Sequence, residues 1–362
     1  LIMNSHKKII VGMSGGVDSS VSAILLKEHG YDVSGIFMKN WEEDDNDNNC
    51  NSKKDYDDAS RIAKKLGIKL STVNFSDKYW DLVFKRFIDE LNSGLTPNPD
   101  IYCNMEIKFN YFMNFALSQR CDKVATGHYA KIRYEKNTYS LNIPKDRTKD
   151  QTYFLYMLNQ DIMKNLLFPL EDIEKTEVKR IVKDFDISIY DKKESMGICF
   201  IGKKNFSNFI KQYINASPGD ICDENGLVLG KHNGLFNYTL GQRKGIKIGG
   251  LKDYDEKPWF VIKKDSKKNN LIISQNEDKL LSPSNIKLIN TTWTNVKPKN
   301  NTQYMARFRH NGKLVPVKVS LCDNEYSLNM IELERAITPG QSAVLYEDDV
   351  CIGGGTISQN VE

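Results

Sequence analysis

Ser14-Gly15-Gly16-Val17-Asp18-Ser19-Ser20 stands between an apolar run, Ile9-Ile10-Val11-Gly12-Met13, and a helical pattern carrying Val21, Ile24 and Leu25 up to Gly30. Strand, glycine turn and helix start follow one another. Adjacent glycines let a backbone approach an anion closely and take positive φ. The amides of such a turn, with the N-terminus of the helix, point at the anion, and the helix dipole favours negative charge there. Ser14, Ser19 and Ser20 add hydroxyl donors, and Asp18 can hold a metal ion or a backbone amide. The same residues would also serve in an ordinary turn before a capped helix, but the strand-to-helix context points to a phosphate site. No Gly-Lys-Ser/Thr follows, so the loop is not a Walker A loop.

The flanking sequence alternates strand and helix. Strands are expected at Lys8 to Met13, Val33 to Met38, Ile68 to Phe75 and Lys123 to Gly127. Helices are expected at Asp57 to Leu66, Asp77 to Leu91 and Glu106 to Leu117. This order argues an α/β fold with a doubly wound parallel sheet. Ligands of such sheets sit at the carboxyl ends of strands near the switch point, where residues 14–20, Met38 and Gly127 all fall. After about residue 215 short Gly-bounded runs replace long helical patterns. Trp259-Phe260-Val261-Ile262, Leu271-Ile272-Ile273-Ser274, Met305 to Arg309, Val315 to Val319 and Ala343 to Tyr346 read as strands and suggest a terminal β-barrel or sandwich. The acidic, Asn-rich stretch from Glu42 to Asp47 reads as a solvated loop.

The chain has 362 residues, a net charge of +4 and 27% charged residues. That length suggests two or three domains of ~100–200 residues. So mild a charge does not by itself argue for nucleic acid. No apolar run approaches the ~20 residues that span a bilayer, and the first residues lack a signal-peptide core, so no membrane partner is expected. Seven scattered cysteines, with no Cys-x-x-Cys and no His-rich spacing, point to a cytoplasmic protein with thiols rather than a protein zinc site.

Two thiols lie in distinctive surroundings. Asn98-Pro99-Asp100-Ile101-Tyr102-Cys103-Asn104 reads as a Pro-constrained loop between helices, with a carboxylate three residues before a thiol. Ser195-Met196-Gly197-Ile198-Cys199-Phe200-Ile201-Gly202 is apolar and glycine-flanked. Either cysteine alone would read as a packing residue.

The opening loop resembles the pyrophosphate loop of the ATP pyrophosphatases (the PP-loop superfamily), which cleave ATP between the α- and β-phosphates and adenylate an oxygen. The loop with Asn-Pro-Asp-x-x-Cys-Asn and Gly-Ile-Cys-Phe-Ile-Gly resembles the tRNA-specific 2-thiouridylases. Gly127-His128-Tyr129-Ala130, Lys149 to Leu155, Tyr238 to Gly245 and Pro339-Gly340-Gln341-Ser342-Ala343 extend the match, in order, over nearly the whole chain. The resemblance implies a first domain with the adenine nucleotide alpha hydrolase-like fold (1–215), a small central tRNA-binding domain (216–283) and a C-terminal β-barrel (284–362).

It also implies roles. ATP would lie against Gly12, Met13, Ser14, Gly15, Gly16, Val17, Asp18, Ser19, Met38 and Gly127, with Mg²⁺ accompanying its phosphates. Oxygen 2 of the wobble uridine in tRNAs for Lys, Glu and Gln would be adenylated. Cys199 would carry a persulfide delivered by a sulfur-relay donor protein. Cys103 would act as the nucleophile that closes the cycle, leaving a Cys103–Cys199 disulfide, with Asp100 as general acid/base. Asn98, Pro99 and Asp100 would contact tRNA, and Gln341 would lie against the region of the flipped base. His128, Lys149, Asp150 and Gln151 would contact tRNA.

Residues 287–322 hold Lys287, Lys297, Lys299, Arg307, Arg309, Lys313 and Lys318 and no Asp or Glu. Arg307 and Phe308 there suit phosphate contact and base stacking, although a solvated Lys-rich surface would look alike. A monomer is expected. The competing readings are a PP-loop ligase acting on a small metabolite, which leaves the paired thiols unexplained, and a non-catalytic RNA-binding protein, against which intact Ser14, Asp18, Cys103 and Cys199 speak.

Overall fold

A computed structural model describes residues 7–42, 51–185, 206–214, 216–249, 251 and 254–359. Four strands open the first domain: β1 (Lys8–Gly12), β2 (Asp32–Lys39), β3 (Leu70–Asn74) and β4 (Lys123–Ala125). A hairpin of β5 (Lys131–Glu135) and β6 (Thr138–Asn142) follows, and then the two-residue β7 (Leu166–Leu167). β1 to β4 and β7 form one parallel sheet in the order β3-β2-β1-β4-β7. The order reverses beside β1, so the crevice at the carboxyl ends of β1 and β4 is the switch point.

The apolar run at β1 is continuous because both faces of a parallel sheet are covered. Alternation sends Ile9, Val11 and Met13 into one core, with Val21 and Ile24 of α1 (Val17–Glu28) and Ala59 and Ile62 of α2 (Asn51–Leu66). Ile10 points into the other core, with Phe84, Phe87, Ile107 and Phe112 from the helical runs 76–92 and 99–118.

Two expectations are corrected. α2 begins at Asn51, six residues before the start read from its apolar face. Asn98 to Asn104 is a helix start rather than a loop. The Asn98 side chain accepts from the Asp100 amide at 3.2 Å, Pro99 occupies the first helical turn, and Cys103 opens a wide π-helical turn, Cys103–Phe112. Asparagine at the cap and proline just after it are strong helix-start residues. The loop reading took proline only as a breaker.

The central strands β8 (Gly219–Cys222), β9 (Val228–His232), β10 (Phe260–Asp265) and β11 (Asn270–Ser274) form a sheet in the order β10-β11-β8-β9. Its core holds Ile221, Val261, Leu271 and Ile273. Six further strands follow: β12 (Asn285–Trp293), β13 (Gln303–Arg307), β14 (Val315–Cys322), β15 (Glu325–Met330), β16 (Ser342–Glu347) and β17 (Val350–Ile357). They run β12-β15-β14-β13-β16-β17, and pairing of β12 with β17 closes them into a barrel.

The β5–β6 hairpin, which the sequence reading did not find, leaves the first domain and pairs β6 with β17, Leu141 opposite Cys351. The C-terminal sheet is therefore not built from residues 284–362 alone. Among the described residues no helix is long and apolar enough to cross a membrane.

Candidate active site

The glycine loop follows β1 directly. Gly15 has φ +71°, and a Cβ there would run into the backbone carbonyl of Asp55 on α2. Serine hydroxyls tie the loop to the first turn of α1. Ser19 and Ser20 donate to the Gly16 carbonyl at 3.1 and 2.7 Å, and the Ser14 amide donates to Ser19 Oγ at 3.2 Å. Gly127 faces this turn from the end of β4. A Cβ on it would lie 2.6 Å from the Ser19 amide nitrogen, filling the space in front of the helix N-terminus. Gly12 and Met38 close the base, where the Phe112 ring and Met38 Cε surround the position of a Gly12 Cβ at 3.2 and 3.6 Å. The residues expected around ATP are thus one contiguous group, and the N-terminus of α1 that they surround suits an anionic phosphate chain.

Two members of this group escaped the sequence reading. Lys175, at the start of the helix Lys175–Asp184, places Nζ 2.6 Å from Asp18 Oδ1. The Tyr129 hydroxyl donates to the same oxygen at 3.2 Å, and the Lys175 ammonium lies 5.6 Å from the Tyr129 ring centre. No spacing rule links position 175 to position 18. Tyr129 was visible only as a neighbour of Gly127. Among the described residues no group of three or more His, Cys, Asp or Glu is placed to hold a metal ion.

Cys103 is buried in the core beside Ile101, Tyr102 and Ile107. Asp100 lies one turn before it, and burial raises its carboxyl above the usual carboxylate range, a shift opposed by the Lys108 ammonium. Lys108 Nζ donates to Asn104 Oδ1 at 2.9 Å, and Asn104 Nδ2 donates to the Phe154 carbonyl at 3.1 Å. A carboxyl with a raised pKa one helical turn from a thiol suits an acid/base role. Cys199, and the motif around it, lies outside the described residues.

The positions expected to contact tRNA divide. Asn98 and Pro99 hold the helix start, Pro99 buried and Asn98 as its cap. His128 is buried between the Phe109 and Phe168 rings, at centroid distances of 5.6 and 5.9 Å, with Nδ1 2.8 Å from Thr126 Oγ1. Burial and then the Lys108 charge hold its pKa well below the ordinary histidine value. Burial therefore disfavours the cationic imidazole that a phosphate would attract.

Lys149 is half-buried at the end of the turn Arg147–Lys149. Gln151 brackets Tyr129, its amide donating to the Tyr129 carbonyl and its Oε1 accepting from the Tyr129 amide at 2.8 Å. Asp150 is buried and paired with Arg307 at 2.7 Å, while its other oxygen accepts from the Thr152 amide and hydroxyl. Gln341 Nε2 donates to the Thr96 carbonyl at 2.5 Å.

The exposed reading of Arg307 and Phe308 is corrected. Phe308 is 5% exposed inside the barrel core, so its ring has no face for a base. The Arg307 guanidinium is held by Asp150 and sits 5.2 Å from the Tyr346 ring centre. Part of the acid-free run also meets carboxylates from elsewhere. Lys287 pairs with Glu325 at 2.6 Å, and Arg309 and Lys313 lie 3.8 and 3.4 Å from Glu334.

Comparison with known proteins gives three successive family matches. Residues 7–203 match the tRNA methyl transferase HUP domain, 207–275 the tRNA methyl transferase PRC-barrel domain, and 284–357 the aminomethyltransferase beta-barrel domain. A tRNA-specific 2-thiouridylase of Francisella tularensis subsp. novicida is 46% identical over 97% of this chain and 99% of its own length. One from Francisella philomiragia subsp. philomiragia is 46% identical with the same coverage. Among solved structures, a U34-tRNA thiolase from Methanococcus maripaludis is 20% identical, covers 59% of this chain and 65% of its own, and has a TM-score of 0.37. A likeness that low carries no argument.

Proposed function

The chain belongs to the tRNA-specific 2-thiouridylases, and on that premise we propose how its residues carry out ATP-dependent 2-thiolation of tRNA. The observation that carries the reading is one juxtaposition. The phosphate loop lies at the switch point, and the helical run bearing Asp100 and Cys103 packs against it through Phe112. That packing supports activation and sulfur chemistry on neighbouring elements of one domain. The matched family descriptions speak of methyl transfer, but a pyrophosphate loop and paired thiols suit activation of an oxygen followed by sulfur transfer.

A uridine carbonyl is a weak electrophile with a poor leaving oxygen. Attack of oxygen 2 of the wobble uridine on the α-phosphate of ATP releases pyrophosphate and makes AMP the leaving group. The loop amides and α1 hold the departing pyrophosphate, and Lys175 is poised to exchange Asp18 for it. Mg²⁺ would be held by the phosphates and the Asp18 carboxylate, and it would screen their charge.

Sulfur arrives as a Cys199 persulfide from a donor protein. Cys103 thiolate attacks the Cys199 sulfur of that persulfide, forming the Cys103–Cys199 disulfide and releasing hydrosulfide. Hydrosulfide adds to carbon 2 and AMP leaves. Two electrons from an external thiol reductant then reset the disulfide. Asp100 moves the proton between thiol and leaving group. The substrates are tRNAs for Lys, Glu and Gln, the central domain supplies RNA contact, and the protein acts as a cytoplasmic monomer.

The test is thiolation of tRNA with ATP and a persulfide donor. Wild type forms 2-thiouridine and pyrophosphate. Cys199→Ala and Cys103→Ala form no 2-thiouridine, while Cys199→Ala still releases pyrophosphate. Undiminished thiolation by Cys199→Ala would remove the persulfide role. Adenylation of a small metabolite without tRNA would favour a metabolite ligase instead.

A further inference from the structure

The turn leading into the Asp100–Cys103 helix is gripped by both other domains. The helical run 76–92 ends at Asn92, and the chain then passes through Ser93 to Pro97 before Asn98 caps the next helix. From the barrel side, the Thr96 amide donates to the Pro339 carbonyl at 3.0 Å, and Gln341 donates to the Thr96 carbonyl at 2.5 Å. Gln359 Nε2 donates to the Ser93 carbonyl at 3.3 Å. Gly340 packs so closely that a Cβ there would lie 2.9 Å from both Leu95 Cβ and the Thr96 amide. From the central domain, Lys264 on β10 reaches in, its Nζ 3.4 Å from the Leu95 carbonyl and 3.3 Å from Thr96 Oγ1.

Lys264 is unusual among these contacts because it is a cation in a covered place. Burial lowers its pKa to about 8, against an ordinary lysine value of about 10.4. The unfolded chain therefore holds that proton more tightly than the folded one. The ammonium weakens the fold at neutral pH, a penalty relieved as pH rises from the folded value to the unfolded one. An ammonium that reaches across from the central domain to the Leu95 carbonyl and the Thr96 hydroxyl is placed to hold the turn before the reacting helix.

We propose that Lys264 is a positioning residue for thiolation: it holds the Leu95–Thr96 turn from the central domain and so sets Asp100 and Cys103 against an RNA seated on the central domain and the barrel. This rests on the thiolation function above. It makes the reaction depend on a residue that touches neither ATP nor the reacting atoms.

The experiment compares wild type, Lys264→Met, Thr96→Val and the double variant of the full chain. The readouts are kcat for tRNA thiolation, KM for ATP, thermal midpoint, and the rate at which Cys103 is alkylated by iodoacetamide without substrates, followed by mass spectrometry. Lys264→Met is expected to lower kcat at least tenfold, to leave KM for ATP within twofold, to keep or raise the thermal midpoint, and to speed Cys103 alkylation severalfold. The double variant falls no further than Lys264→Met. Wild-type kcat and alkylation in Lys264→Met, or losses that multiply in the double variant, overturn the proposal. Thr96→Val reads the same contact from its other side if Lys264→Met folds poorly. If wild type itself does not thiolate tRNA, the function fails, and the alkylation rates still report whether Lys264 holds the turn.

Discussion

Asp100 shows how far a single residue could be read in advance. Its place three residues before Cys103 marked it as an acid/base candidate, but the reason it suits the task is burial, which raises its carboxyl pKa despite Lys108. A base whose pKa is raised loses its working form at higher pH than an exposed aspartate, whose ordinary value is about 3.9. The acid limb of kcat/KM for tRNA is therefore expected above that value in wild type and absent from the residual activity of Asp100→Asn. Identical profiles for the two proteins would discharge Asp100 from the role. The sign for stability is the opposite of an ion-paired carboxylate: a raised folded value favours the fold while the group is protonated, and that contribution is lost as pH rises through it. Lys175 marks the limit of residue-scale reading. Nothing near it in sequence connects it to Asp18, because that contact is made by the packing of its helix against α1.

At the scale of elements, the strand-loop-helix unit at Lys8 to Glu28 formed where its pattern placed it, since burial on both sheet faces and the glycine turn act locally. Gly127 tests how tightly the second loop must approach that unit. Gly127→Ala would press a methyl group on the Ser19 amide. ATP affinity measured by calorimetry is expected to fall at least tenfold, equivalent to about 1.4 kcal/mol. Unchanged affinity would mean that the space before α1 is not where the phosphates sit. Two elements were misread for definable reasons. At Asn98-Pro99-Asp100 the cap, the first-turn proline and the acidic residue all favoured a helix start. The β5–β6 hairpin turns at Lys136 and Asn137, with φ of +48° and +64°, and an asparagine in a two-residue turn is a recognisable signal. The alternation of strand and helix on either side of it masks that signal in the sequence.

At the scale of the whole molecule, the first domain and the barrel are joined by the Asp150–Arg307 pair and by tyrosines 153 and 156. The Tyr153 hydroxyl donates to the Ser342 carbonyl at 2.9 Å, and Ser342 Oγ donates to the Tyr156 hydroxyl at 3.3 Å. Removing one partner of a buried ion pair typically destabilises by about 3–5 kcal/mol, because the other charge stays buried. Arg307→Met is expected to lower the denaturant midpoint by a corresponding amount. If Arg307 instead served chiefly as a phosphate contact, the variant would keep its stability and lose tRNA affinity, so the two measurements separate the roles. Part of the charge of the basic run 287–322 is met in the same way. Its partners Glu325, Glu334 and Asp150 lie outside the run and meet it only in the folded protein.

The amino-acid order alone determined the parallel α/β domain, the glycine loop at its switch point and the β-rich remainder. These follow from periodicity, turn chemistry and burial, which act over a few neighbouring residues. The tertiary structure alone decided that Lys175 meets Asp18, that Phe308 and Arg307 turn inward, that a hairpin of the first domain extends the last sheet, and that Lys264 and Gln341 hold the turn before Asp100. Each of these is a contact between segments far apart in the chain. Side-chain charge and polarity show what a residue can do, while packing selects the partner with which it does it.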